Sequence, residues 1–147
     1  MPIKNRAGNK AAFTLVELAV VVCIFLVMIA ALTPFVKMAK ARSTRLTCAH
    51  NLRDISLGLH AYAAEHDEAF PAQLGELYPK YVASEKVFDC PATKPIGTAD
   101  KPDYTYIAGF TESSPAQSVI VTDRAGNHGA SGKNSVRIDG TVGWSGK

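Results

Sequence analysis

The sequence predicts an α+β fold: a long N-terminal transmembrane-plus-soluble α-helix packed on a small, mostly antiparallel β-sheet. Three observations lead there. Residues 13–36 form a 24-residue apolar stretch with one charge, Glu17. Residues 37–66 contain no proline and repeat apolar side chains at helical spacing. Beyond Pro71, short aromatic and β-branched runs alternate with turn residues and end in an Asp139-Gly140 hairpin signal.

The apolar stretch comes first. Residues 18–36 are 19 consecutive uncharged side chains, enough to cross a hydrocarbon core of about 30 Å at about 1.5 Å per residue. Twelve of them are Leu, Ile, Val or Phe, each favouring insertion by roughly 0.3–0.6 kcal/mol near the bilayer centre. Together they outweigh the roughly 2.5–3.5 kcal/mol that a central charge costs, and Glu17 lies near one end. A secretory signal peptide fits less well, although Ala39-Lys40-Ala41 offers a small-residue cleavage site. Its apolar region is shorter, and Glu17 is out of place in it. An uncleaved signal anchor explains the length but neither Glu17 nor Pro34.

In residues 37–66, Cys48, Leu52, Ile55, Leu59 and Tyr62 recur at spacings of 4, 3, 4 and 3, one face of a helix. The helix is expected to continue from the membrane segment, with Pro34 removing the bond to the Ala30 carbonyl. A helix over residues 13–64 is roughly 78 Å long and cannot bury itself, so its outer half needs a domain to pack against. Glu65 to Glu68 and then Pro71 end it. Leu74, Leu77, Tyr78 and Tyr81 suggest a short helix or turn on that face, and Val87-Phe88 leads to Cys90-Pro91. Strands are expected over 104–108, 118–122, 135–138 and 141–144, with a glycine-rich loop over 126–133. In the last hairpin, a three-residue loop of Ile138, Asp139 and left-handed Gly140 puts Val136, Val142 and Trp144 on one face, whereas a two-residue loop splits them. The three-residue form is expected.

The formal charge of +3 arises from Lys4, Arg6 and Lys10 in residues 1–12, which contain no acid; the rest is neutral. The basic balance therefore bears on membrane topology and gives no reason to expect a nucleic-acid partner. The 147 residues leave room for one small domain after the apolar stretch.

The string FTLVEL behind a short basic leader resembles the type IV prepilin cleavage and methylation signal. The resemblance implies cleavage by a prepilin peptidase between Ala12 and Phe13, N-methylation of Phe13, and Glu17 as the carboxylate that neutralises a neighbouring subunit's N-terminal amine. Pro34 falls where this family places a helix-bending proline, and Ala12 stands where it usually has Gly. Further on, Cys48, then Asn51-Leu52-Arg53, Leu57, Leu59, Tyr62-Ala63, Phe88 and Cys90-Pro91 look like the type II secretion protein G-like pseudopilins. Many of these end in His-x9-Asp-Gly; here His128 and Asp139-Gly140 are separated by one residue more. The implied organisation is a leader over 1–12, a transmembrane and filament-core helix over 13–36, its soluble continuation over 37–66 and an extracytoplasmic domain over 67–147. The implied function is a structural subunit of a type IV pilus-like or type II secretion pseudopilus filament. It is stored as a single-pass protein of the bacterial inner membrane and built into the filament by inner-membrane assembly machinery. Lys37, Lys40, Arg42 and Arg45 oppose that topology, and the leader signal decides it. The alternative is a membrane-anchored extracytoplasmic binding domain that never polymerises.

Among candidate sites, Cys48 and Cys90 are expected to form a disulfide, because an exported domain meets an oxidising compartment and Cys23 lies in the apolar span. The competing reading is two buried, reduced cysteines. Asp123, Asp139 and carbonyls of loop 126–133 are the candidates for calcium; otherwise Asp139 shapes the turn and Asp123 is a solvated strand-end carboxylate. His50, His60 and His66 lack the spacing of a zinc motif, no Cys-x-x-Cys pair exists, and His60 and His66 read as surface residues. His128 with Ser131 or Asp123 offers no recognisable catalytic constellation, and its glycine-rich loop reads as a surface contact.

Overall fold

The computed structural model describes residues 14–146. One helix, α1 (Leu15–Glu65), contains both the apolar stretch and its polar continuation, with Pro34 inside it. Thr14 caps its start: Glu17 N donates to Thr14 Oγ1 (3.2 Å), and Thr14 N faces Glu17 Oε2 (3.5 Å). This is the Thr-x-x-Glu capping box. At the other end Asp67 and Glu68 take left-handed backbone conformations, and Glu68 N returns to the Ala63 carbonyl (3.0 Å). That reversal closes the helix where the acidic run predicted its end.

The chain divides into two units between Met38 and Ala39, so residues 39–65 of α1 belong with the domain. In the first unit, the large apolar side chains from Leu15 to Val36 are exposed. Length and composition suffice for this helix to cross a membrane.

In the second unit Cys48, Leu52, Ile55, Leu59 and Ala63 are buried along one face of α1, while Tyr62 is half-buried at its edge. A 3₁₀ turn, Leu74–Leu77, buries both of its leucines, and a second, Glu85–Phe88, seats Phe88 in the core. Four antiparallel strands follow in the order β1-β2-β3-β4: β1 (Tyr104–Tyr106), β2 (Val119–Asp123), β3 (Lys133–Arg137) and β4 (Val142–Ser145). Each lies within three residues of its expected position. The register slips between Val119 and Val121 of β2 against β3, a bulge that lets Ile120 and Val121 both be buried.

The last hairpin has the expected three-residue loop. Val136 pairs with Val142 and Asn134 with Trp144, Arg137 N donates to Thr141 O (3.0 Å), and Gly140 has φ +77°. Val136, Val142 and Trp144 share a face; Val136 is fully buried and the other two are half-covered. His60 departs from expectation. It is half-buried, its Nδ1 2.6 Å from Glu112 Oε1 and its ring edge-on to Phe70, because the segment around residues 110–112 folds back over the end of the helix. His66 is exposed and stacks on Tyr62.

Candidate functional site

Two places in the molecule carry chemistry. The first is the start of α1. Glu17 stands in the first helical turn, where a carboxylate is favoured by the helix dipole, and Thr14 engages it from the preceding turn. Near the other end of the apolar stretch, Thr33 Oγ1 donates to the Ile29 carbonyl (2.8 Å), beside the Ala30 carbonyl whose amide partner Pro34 lacks. Ala12 and Phe13, the expected processing residues, lie outside the described residues. Cys23 is exposed on this stretch.

The second place is built by three separate segments. Cys48 comes from the buried stripe of α1. Cys90 follows the Glu85–Phe88 turn and is held from both sides: its amide donates to Asp103 Oδ2 (3.1 Å), and Thr93 Oγ1 donates to its carbonyl (2.9 Å). Asn51, one turn beyond Cys48, clips the same segment to the helix through Asp89 O (2.8 Å) and Tyr104 Oη (3.1 Å). The two sulfurs lie 2.7 Å apart, both fully buried. The structure thus brings together the pair expected to form a disulfide.

His128 arrives from the loop after β2. Asn127 anchors that loop by donating its side-chain amide to the Asp103 carbonyl (2.8 Å). His128 Nε2 sits 3.8 Å from Cys90 Sγ and 3.2 Å from Asp123 Oδ2. Its side chain is only 6 % exposed and packs edge-on against Trp144, over which the Arg45 guanidinium lies 4.2 Å from the ring centroid. The surface-contact reading of His128 is therefore corrected: the glycine-rich loop folds inward and buries the imidazole.

Asp123 is corrected too. It is a buried carboxylate, not a solvated one, because β2 ends beneath the His128 loop. Oδ2 accepts from Asn134 N (2.6 Å) and Nδ2 (2.9 Å), while Oδ1 has no partner. Asp139 lies at the opposite end of β2, where its amide bonds to Ala116 O and its carboxylate accepts from Thr141 N (2.8 Å) and Gln117 Nε2 (3.1 Å). The strand between them keeps the two candidate calcium ligands from sharing a site, and Asp139 shapes the turn.

The environment sets the protonation preferences. The hydrogen bond to Cys90 and then burial push the Cys48 thiol up, whereas the bond from Cys48 lowers Cys90. Burial raises Asp123, against the pull of the Asn134 amide and His128. Burial also raises Tyr104. A nucleophile–base–carboxylate relay requires the carboxylate on the histidine nitrogen away from the nucleophile. Here Asp123 and Cys90 both face Nε2, so the relay geometry is absent from this cluster.

An open groove of about 710 Å³ leads to His128, bordered by Lys40, Arg42, Arg45, Lys94 and Trp144. None of its lining residues is acidic. The sequence showed the cysteines and the histidine but not their meeting, which depends on the folding of loop 124–132. The Thr14-x-x-Glu17 box is a signal that the sequence itself carries. No family model, curated protein or solved structure matches this sequence.

Proposed function

We propose that this chain is a pilin-like subunit, stored in a membrane by its N-terminal helix and assembled into a helical filament through that helix. The observation that carries the reading is the apolar stretch of α1. Its large side chains are exposed, with Glu17 near one end and Pro34 near the other. A surface of this kind is stable only in lipid or against copies of itself. Head-to-tail contacts between such surfaces build open helical assemblies. Processing between Ala12 and Phe13 by a prepilin peptidase would place a new amine four residues from Glu17. In a neighbouring subunit that amine is the cation a carboxylate among apolar helices needs. Whether the filament is a secretion pseudopilus or a pilus follows from the machinery that builds it.

Glu17 has a competing task, since it also completes the capping box with Thr14. Glu17→Gln separates the two, because an amide can still cap the helix but carries no charge. We expect Glu17→Ala and Glu17→Gln both to insert in the membrane normally and both to abolish filaments seen by electron microscopy. Filaments from Glu17→Gln at wild-type yield would leave Glu17 as a cap alone and remove its assembly role. The basic groove favours a second reading, a membrane-anchored domain that binds an anionic ligand and does not polymerise.

A further inference from the structure

The disulfide expectation uses Cys48 and Cys90 and takes no account of His128, whose Nε2 lies 3.8 Å from Cys90 Sγ and 3.2 Å from Asp123 Oδ2. We propose that Cys48, Cys90 and His128 form a binding site for a thiophilic divalent cation of the zinc type, with Asp123 beside it.

Three observations carry this. The Cys48, Cys90 and His128 ligand atoms come from a helix, a turn and a loop far apart in sequence, yet all lie within 4.8 Å of one another. Two sulfurs and an imidazole are the donor set that selects zinc over calcium or magnesium, which take oxygen ligands. Asp123, its side chain wholly buried, stands beside this cluster with Oδ2 3.2 Å from His128 Nε2, and its Oδ1 has no hydrogen-bond partner. A buried carboxylate with an orphaned oxygen is costly unless a cation lies close.

The step is a proton-for-metal exchange. The two thiols give up their protons to solvent, the sulfurs bind the cation as thiolates, and neutral His128 ligates through Nε2. The fourth position falls to a water, with Asp123 beside the site. A tetrahedral ion with metal–sulfur bonds of about 2.3 Å holds its sulfurs ~3.7 Å apart, so the Cys90 segment, which is neither helix nor strand, has to ease outward. The groove bordered by Arg45 and Trp144 reaches His128. Metal binding and the Cys48–Cys90 disulfide exclude each other.

The experiment uses the full chain, carrying Cys23→Ser to remove the exposed thiol, extracted in detergent under a reductant and stripped with a chelator. It is then given zinc alone or cobalt alone. We expect one ion per chain, protection of both remaining thiols from alkylation, and a thiolate-to-cobalt charge-transfer band. His128→Ala is expected to weaken zinc binding at least about tenfold with unchanged circular dichroism. If that variant misfolds, the cobalt band and thiol protection of the His128-containing chain decide the matter. The proposal is overturned if the reduced chain retains no zinc, or if a folded His128→Ala chain binds as tightly. It also fails if the chain isolated from its membrane, with thiols trapped at lysis, is wholly disulfide-bonded.

Discussion

Residues 15–36 and residues 48–63 belong to the same helix and satisfy their backbone in the same way, yet their side chains make opposite demands. In the first stretch apolar residues run round every side of the helix, as in a segment meant for lipid or for other helices. In the second they keep to one stripe, and that stripe is covered by Leu74, Leu77, Phe88 and the inner face of the sheet. The apolar content of a helix therefore does not say where its stability comes from; the angular width of the apolar surface does. The narrow stripe is completed inside the chain, and the full cylinder waits for something outside it.

The largest effect should come from exchanging residues 15–36 for an unrelated apolar span of the same length. If the stretch serves assembly, membrane insertion and the melting temperature of the domain stay as they are while filament formation falls to background. A chimera that still builds filaments would mean that the contacts lie in the domain, and the contrast between the two stretches would lose its functional meaning.

A matched pair of truncations sharpens the contrast energetically. Leu52 is fully buried, whereas Leu26 is 61 % exposed. Leu52→Ala leaves a cavity in the core of the domain and should cost about 2–5 kcal/mol of domain stability. Leu26→Ala should move that stability by less than about 0.5 kcal/mol. Urea unfolding of the detergent-extracted chain, followed by the Trp144 fluorescence, reads both. Equal losses would show that the two stretches unfold as one cooperative unit.

How much of this could be read from the sequence follows from the range of the interactions. The helix, its two characters and its end near Glu65 are encoded by neighbours within a few turns, so spacing reveals them. The hairpin register was legible for the same reason: Asp139-Gly140 and the alternation of Val136, Val142 and Trp144 lie within nine residues. The thiol–imidazole cluster was not. Cys48, Cys90 and His128 are separated by about forty residues each, and their meeting depends on Asn51, Asp103 and Asn127 tying two irregular segments together. Those polar contacts have no sequence period, and Asp103 and Asn127 look like ordinary loop residues until the fold buries them. Asp123 misled in the same way, since a strand-end carboxylate reads as solvated unless the next loop is known to fold over it.

The smallest effect, and the finest test of the covered stripe, concerns Gly58. In a helix interior glycine is about 1 kcal/mol less favourable than alanine, so an uncovered face would gain from Gly58→Ala. Here a Cβ at position 58 would stand 2.7 Å from Val82 Cγ2 and 3.5 Å from both Leu77 Cδ1 and the Tyr81 carbonyl. Val82 is buried, so its methyl group cannot simply swing into solvent. Overpacking of this kind costs about 1–3 kcal/mol, which exceeds the propensity gain at the upper end and cancels it at the lower. Gly58→Ala should therefore be neutral to destabilising by up to about 2 kcal/mol. The double mutant Gly58→Ala, Val82→Ala decides the cause. If the methyl contact is responsible, the second change relieves the first, and the double mutant is more stable than the sum of the single effects by about 1 kcal/mol. Additive losses would instead place the cost in the helix backbone at residue 58. Gly58→Ala stabilising the chain by the full propensity difference would mean that the segment carrying Val82 is not packed against α1 at all.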